Sequence, residues 1–425
     1  MKNKLAIQLL GVFFCTGQAC ALELHSFLSE VLQSHPDVRM QQAHLEVGRQ
    51  DLSIARQQFF PTPSVSVEQA KAAVADSQYQ GDPQIMVLRL QQPLWTGGRL
   101  TAGLAKSQAS LDARQAVLEE TRQQLAMSTV ESWGAWCAAD ARLTVIEHSL
   151  SLLRDLQAKV ERRVHEGASA PSELIMTESR VAQAVAQKRG QQAQLEMARS
   201  RLAQLLGQPI LAQACPAWPG LSPWSGAGLD QITADVLDHH PSLTRLRAQI
   251  RQVEQEVNER KADFWPEVYV RAEHQRGNYT IANYPTTNRV FIGMNSRFGA
   301  GLSTPQQVAS AVQRQQAAEQ ELDGGQRKAL EQAQSLWIQL QDVQARLPAL
   351  EQVSKANWAT QEAWDRQFLA GRKSWLDVMN AARESMQSEL ELADARVTEK
   401  SLLWRLGLFV QGVDSVLAAA SEPRH

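Results

Sequence analysis

The residues that could do chemistry are few and badly spaced for it. The 425-residue chain holds nine histidines and four cysteines. None of the histidines stands in an H-E-x-x-H pair, which would put two imidazoles on one helix face for a metal, and no G-x-S-x-G nucleophile turn is present. His35 and His240 each precede a proline, where a turn or cap role outweighs ligation. Cys137 and Cys215 lack the spacing of a zinc knuckle. Gly97 and Gly98, in LQQPLWTGGRL, could mark a phosphate cradle between strand and helix. Neither G-x-x-x-x-G-K-[ST] nor G-x-G-x-x-G occurs, so that reading fails. A net charge of -2 offers no basic surface to nucleic acid. No catalytic residue, cofactor or metal is expected. A periplasmic hydrolase on a helical scaffold is the enzyme alternative, and it would need a clustered nucleophile and base. The polar residues left over gather in two turn-like segments, HEGASAPSEL (165–174) and LAGRKSWLDVMNA (369–381). Glu173 follows Gly167 by six residues, and Asp377 follows Gly371 by six. Taken singly they read as ordinary solvated helix caps.

The first stretch, MKNKLAIQLLGVFFCTGQACA, has a basic start, an apolar middle and a small-x-small end. It reads as a secretory signal over 1–21, with the mature chain beginning at Leu22. Gly17 and Gln18 fit poorly before a lipidated Cys20. Cys15 and Cys20 would leave with the signal, so the mature chain keeps only Cys137 and Cys215. These two are either a disulfide, which an oxidising periplasm permits, or a buried thiol at Cys137 and a loop thiol at Cys215. Nowhere else does a run of about 18 apolar residues occur, so no membrane-spanning helix is expected. The alternatives are a soluble exported protein and one that enters a membrane by β-strands.

The chain repeats itself. SEVLQSHPDV (29–38) resembles ADVLDHHPSL (234–243), and Phe59-Phe60-Pro61 meets Phe264-Trp265-Pro266 at the same offset. Further on, Trp133 meets Trp337, Gly167 meets Gly371, and Leu206-Gly207 meets Leu406-Gly407. Such a collinear series means two tandem copies, expected at 22–207 and 230–410, with a linker at 208–229 and a short tail at 411–425. Each copy predicts a short helix, a His-Pro break, a second helix, two strands, and two long helices near 99–165 and 171–206, or 304–369 and 374–410. Leu143, Ile146, Leu150, Leu153, Leu156 and Val160 make a coiled-coil-like seam. Pro348 should bend the helix that contains it. In the strands, Val290, Ile292 and Met294 alternate with Arg289, Phe291, Gly293 and Asn295, one face apolar and one polar. Met86, Leu88 and Leu90 alternate likewise with Val87, Arg89 and Gln91. Four strands cannot close a barrel, and an open edge is not tolerated in lipid. Strands from several chains must therefore join; three chains would give about twelve, enough to leave a lumen.

In this order and spacing, FFPTPSV, FWPEVYV, LQQPLWTGG, RFGAG and the two turn segments resemble the TolC family of outer-membrane channels, the outer-membrane factors. The resemblance covers essentially the whole mature chain. It implies a homotrimer, mostly α with a small β part. Long coiled-coil hairpins would form an α-barrel tunnel through the periplasm, below a 12-stranded β-barrel in outer-membrane lipid. It also implies two partners, a periplasmic adaptor (a membrane fusion protein) and an inner-membrane ABC or proton-driven transporter. Trp95, Gly97, Gly98, Phe298, Gly299 and Gly301 would form the strand-to-helix junctions. Phe59, Phe60, Phe264 and Trp265 would lie at the membrane interface, or pack the junction, or both. The resemblance makes Asp377 a ring of three carboxylates at the periplasmic entrance, with Lys373 able to hold the entrance shut. Arg372 adds positive charge, and Glu173 would contribute less. Asn380 stands where some members carry a second aspartate, which implies a weaker anion ring. Gly167, Ala168, Ser169, Gly371, Ser374 and Leu376 would dock the adaptor. The function implied is a passive exit duct. Type I protein secretion is slightly preferred over multidrug or metal efflux, because the lipidation site is unconvincing.

Overall fold

A computed structural model describes residues 23–71, 80–212, 214–219, 228–296 and 299–421. The proposed signal at 1–21, residues 72–79, part of the linker, and Phe298 lie outside them.

The first half runs α1 (Leu24–Ser34), α2 (Pro36–Gln57), β1 (Thr62–Gln69), β2 (Gln84–Trp95), α3 (Arg99–His165) and α4 (Pro171–Leu206). The second runs α5 (Leu229–His239), α6 (Pro241–Ala262), β3 (Glu267–Arg276), β4 (Thr287–Asn295), α7 (Thr304–Leu369), α8 (Trp375–Gln411) and α9 (Val413–Ser421). His-Pro breaks the chain between α1 and α2 and again between α5 and α6. His35 takes extended torsions, its Nδ1 accepts the Asp37 N–H at 3.2 Å, and Pro36 follows at the first helical position. α3 has 67 residues, which at 1.5 Å each is about 100 Å. Pro348 lies inside α7 without ending it.

The sheet is antiparallel in the order β1-β2-β3-β4. Its centre is the β2–β3 pair, one strand from each half, in register from Met86↔Arg276 to Gln91↔Arg271. Both outer strands, β1 and β4, therefore keep one unpaired edge. A sheet with one largely apolar face and two open edges can be stable in lipid only if other chains pair with them.

The helices order themselves around α3. Near the sheet, α3 packs against α2 and α6, and α6 packs against α7. A stripe of buried alanines on α3, Ala102, Ala109, Ala113 and Ala116, lets these neighbours approach closely. At the other end α3 pairs with α4 and α8, and α8 with α7. Ile146, Leu150, Leu156 and Val160 of the expected seam are buried, with Leu143 and Leu153 partly so. Midway, Phe27, Trp133, Trp136, Leu202 and Trp404 fill one core. Ile232, Val236, Leu243 and Leu336 fill another. The two cysteines are bridged: Cys137 and Cys215 form a disulfide across 78 residues, with Cα atoms 5.0 Å apart. This settles the open alternative in favour of the bond and pins the linker to α3, where the Cys215 N–H also donates to Asp140 at 3.1 Å.

Candidate functional site: the hairpin tips and the membrane collar

Both hairpins turn in the same way. Gly167 and Gly371 take left-handed torsions, with φ of 74° and 73°. The Ala168 N–H reaches back to Arg163 and the Gly167 N–H to Val164, at 2.8 and 3.1 Å. Arg372 and Gly371 do the same to Gln367 and Phe368, at 2.9 and 3.0 Å. This is the Schellman closure, which satisfies the last carbonyls of a helix and requires a left-handed residue. No heavy atom lies within 4 Å of where a Cβ would stand on either glycine, so torsion and not crowding selects glycine.

The next helix starts differently in the two turns. Ser374 Oγ accepts the Asp377 N–H at 3.2 Å, and the Asp377 carboxylate accepts the Ser374 N–H at 3.2 Å, a complete capping box. Hydrogen bonds from the Ser374 hydroxyl and backbone, helped by Lys373, hold the Asp377 carboxyl below its usual range. At the repeat-equivalent place the cap is Ala170, which has no hydroxyl, and Glu173 Oε2 is buried without a hydrogen-bond partner. Lys373 extends its ammonium over the Trp364 ring, 4.0 Å from the centroid, and stands 4.0 Å from Asp377. Among the described residues it serves its own hairpin and makes no link to the other.

The links between the two hairpins come from residues that the sequence did not single out. Lys159 Nζ bridges Asp365 of the other hairpin at 2.7 Å and Asp155 at 2.8 Å. Burial works against the Lys159 charge, but the hydrogen bonds to these two carboxylates outweigh it and raise its pKa. Arg163 donates to the Phe368 and Leu369 carbonyls at 3.3 and 3.4 Å and to Ser169 Oγ at 3.1 Å. A guanidinium at the carbonyl end of α7 is also favoured by the helix dipole. The Trp375 indole donates to buried Thr177 at 2.7 Å. Leu156, Val160, Phe368, Trp375, Val378 and Met379 form a small core around these bonds. Phe368 and Trp375, large and apolar on either side of a glycine turn, were the signal available in the sequence. Their first-half equivalents are only Val164 and Pro171. Between α4 and α8 a groove of about 140 Å³ is lined by Trp375, Leu376, Met379 and Asn380. Leu376 is exposed on its rim.

At the opposite end, aromatic side chains ring the change from helix to sheet. Phe60 and Trp265 are 66% and 60% exposed on the single chain, with Phe59, Trp95 and Phe264 also open. Trp95 meets Trp265 edge to face at 6.0 Å. Gly97 is demanded twice: its φ is 60°, and a Cβ there would sit 2.5 Å from Trp265 Cβ. Gly98, with φ of 93°, caps α3. Arg99, the first residue of that helix, reaches Glu267 at the start of β3 at 3.1 Å. In the second half Gly299 and Gly301 also have positive φ, at 71° and 61°.

Among the described residues no group of His, Cys, Asp or Glu could hold a metal, and no helix is long and apolar enough to cross a membrane. A helical duct, crowned by a sheet that only other chains can close and collared by aromatics, defines a passive outer-membrane conduit. The comparisons place it further: the chain belongs to the outer membrane efflux protein family, whose model matches residues 27–208 and 233–401. It is 22% identical to the alkaline protease secretion protein AprF of Pseudomonas aeruginosa, over 93% of this chain and 86% of that one. It is 20% identical to the outer membrane efflux protein BepC of Brucella suis, over 92% and 86%. The fold superposes on the outer membrane protein VceC of Vibrio cholerae with a TM-score of 0.81 at 19% identity, covering 92% of this chain and 96% of that one. CusC gives a TM-score of 0.81 at 16% identity, covering 91% and 92%.

The protein is accordingly an outer-membrane channel with a periplasmic helical tunnel, not an enzyme. Members of the family are trimers and work with periplasmic adaptors and inner-membrane transporters in tripartite machines.

Proposed function

We propose that this duct serves type I protein secretion, receiving polypeptide from an ABC transporter through an adaptor. The observation that carries this reading is the likeness to AprF, named for protease secretion, over nearly the full chain. Small-molecule efflux is the second reading, favoured by the likeness to BepC, named for efflux. The test is complementation in a strain without its own export ducts. Paired with the ABC transporter and adaptor of a protein-secretion system, the chain is expected to return the protein cargo to the medium. Restored drug resistance beside a proton-driven pump, with no protein released, would favour efflux instead.

In this reading the hairpin tips are the periplasmic entrance. Asp377, repeated three times, is its carboxylate ring, with Lys373 and Arg372 beside it. Asn380 leaves that ring without a second acidic layer, and Glu173 sits outside it. Gly167, Ala168, Ser169, Gly371, Ser374 and Leu376 offer the adaptor small residues for close helix approach and one exposed apolar contact. The aromatic collar meets the periplasmic side of the lipid, a setting that suits Trp and Phe. The Lys159–Asp365, Arg163–Phe368 and Trp375–Thr177 bonds hold the two hairpins of a chain together and oppose their parting at the entrance.

A further inference from the structure

Successive residues of a strand face opposite sides of the sheet. One side presents Val65, Leu88, Leu90, Val290, Ile292 and Met294, all exposed on the single chain. Lipid accepts that face, so the other lines the lumen. On the lumenal face the register sets Ser64, Arg89, Glu273 and Arg289 side by side across all four strands. The next row towards the periplasm brings Gln91, Arg271 and Phe291 together.

The charges in these rows do not cancel. Glu273, with a side chain only 10% exposed, accepts from Arg89 at 2.7 Å and lies 3.2 Å from Arg271. Arg271 also stacks on the Phe291 ring at 4.8 Å. Both guanidiniums meet the same oxygen, Oε1. Arg289 has the neutral Thr287 hydroxyl at 3.3 Å and no carboxylate among the described residues. Three arginines thus face one glutamate in the two rows. When the barrel closes, β4 meets β1 of the next chain. The acidic residue on the lumenal face of β1 is Glu68, four positions nearer the outside than Ser64, where it accepts from the Tyr279 hydroxyl at 3.4 Å. Threefold repetition sets Arg289 around the lumen within walls of low dielectric, which concentrate the field of such a ring.

We propose that Arg89, Arg271 and Arg289 form an anion-selective ring inside the β-barrel that engages oxyanion groups, carboxylate or phosphate, on cargo leaving the duct. The guanidinium fork matches both groups geometrically. The proposal rests on the channel reading and adds a charge preference at the exit, opposite in sign to the one expected at the entrance.

Trimers in planar bilayers, with probe added on the extracellular side, provide the test. Tripolyphosphate and a short oligoglutamate are the two probes, one for each source of oxyanion. Current block by one or both is expected in the unaltered channel. In Arg289→Glu the half-blocking concentration should rise on the order of tenfold or more. Arg289→Gln should show a smaller rise, and Arg289→Lys should retain most of the block. Loss of block to one probe only would identify the cargo chemistry. No block by either probe, or the same half-blocking concentration in Arg289→Glu, would overturn the ring. Trimers that carry no current at all would instead contradict the channel reading itself.

Discussion

Asp377 and Glu173 hold the same place in two repeat-related helices, three residues past the cap, yet only Asp377 finds a partner hydroxyl, that of Ser374. The hydrogen bonds from Ser374 lower the Asp377 pKa and so favour the charged form that an anionic threefold ring requires. Replacing Asp377 by Ala should weaken block by multivalent cations added on the periplasmic side. Glu173→Ala should change it less, and the reverse ranking in bilayer recordings would mean the halves are placed the wrong way round. Ser374→Ala isolates the structural share, costing about 1 kcal/mol of local stability with block largely kept. His240 gives a second prediction at this scale. Burial against Phe409 pushes its pKa down to about 4. A group held neutral in the fold contributes stability that is present above its unfolded value, near 6.5, and is lost as pH falls towards 4. Each pH unit in that window removes about 1.4 kcal/mol at most. Denaturant melts between pH 7 and 4 should therefore be flatter in His240→Gln. An equally steep loss would show that other groups govern the acid response.

Glycine, proline and period made the elements legible. His-Pro fixed the short-helix breaks, Gly167 and Gly371 the turns, and alternation the strands. Those signals are local, and so the helix bounds fall within a residue or two of the expected ones. The contacts that tie the hairpins together are not local. Lys159 and Asp365, Arg163 and Phe368, Trp375 and Thr177 are each about 200 residues apart in a single chain, and no period connects them. Lys373 is a turn residue with family precedent, but in the fold it lies over Trp364 of its own hairpin. The path of the linker was equally hidden, so the 78-residue disulfide stayed one of two readings. The cross-hairpin bonds yield a prediction about opening. Lys159→Met with Asp365→Asn, or Arg163→Ala, should raise single-channel conductance. Trp375→Phe should do so too, with a stability cost of roughly 0.5–1.5 kcal/mol for the lost indole bond, since the Thr177 hydroxyl keeps its bond to the Glu173 carbonyl. Conductance unchanged in all three would place the restraint elsewhere. Reducing the Cys137–Cys215 bond should lower thermal stability, by roughly 2–5 kcal/mol for a loop of this length, while leaving conductance as it was.

The whole molecule was legible for a different reason. Duplication and four amphipathic strands together allow few solutions, because backbone polar groups cannot be left open in lipid. The chain gives each copy two strands, joins them across the copies as β2–β3, and leaves β1 and β4 to find partners. Closure by other chains is thus the claim on which the duct, the entrance ring and the lumenal arginines all depend. The most direct measurement is the mass of the detergent-purified particle after subtracting bound detergent. Three chains per particle are expected, resistant to dissociation until the barrel is unfolded. A monodisperse, water-soluble single chain that keeps its helices and sheet without detergent would contradict the account.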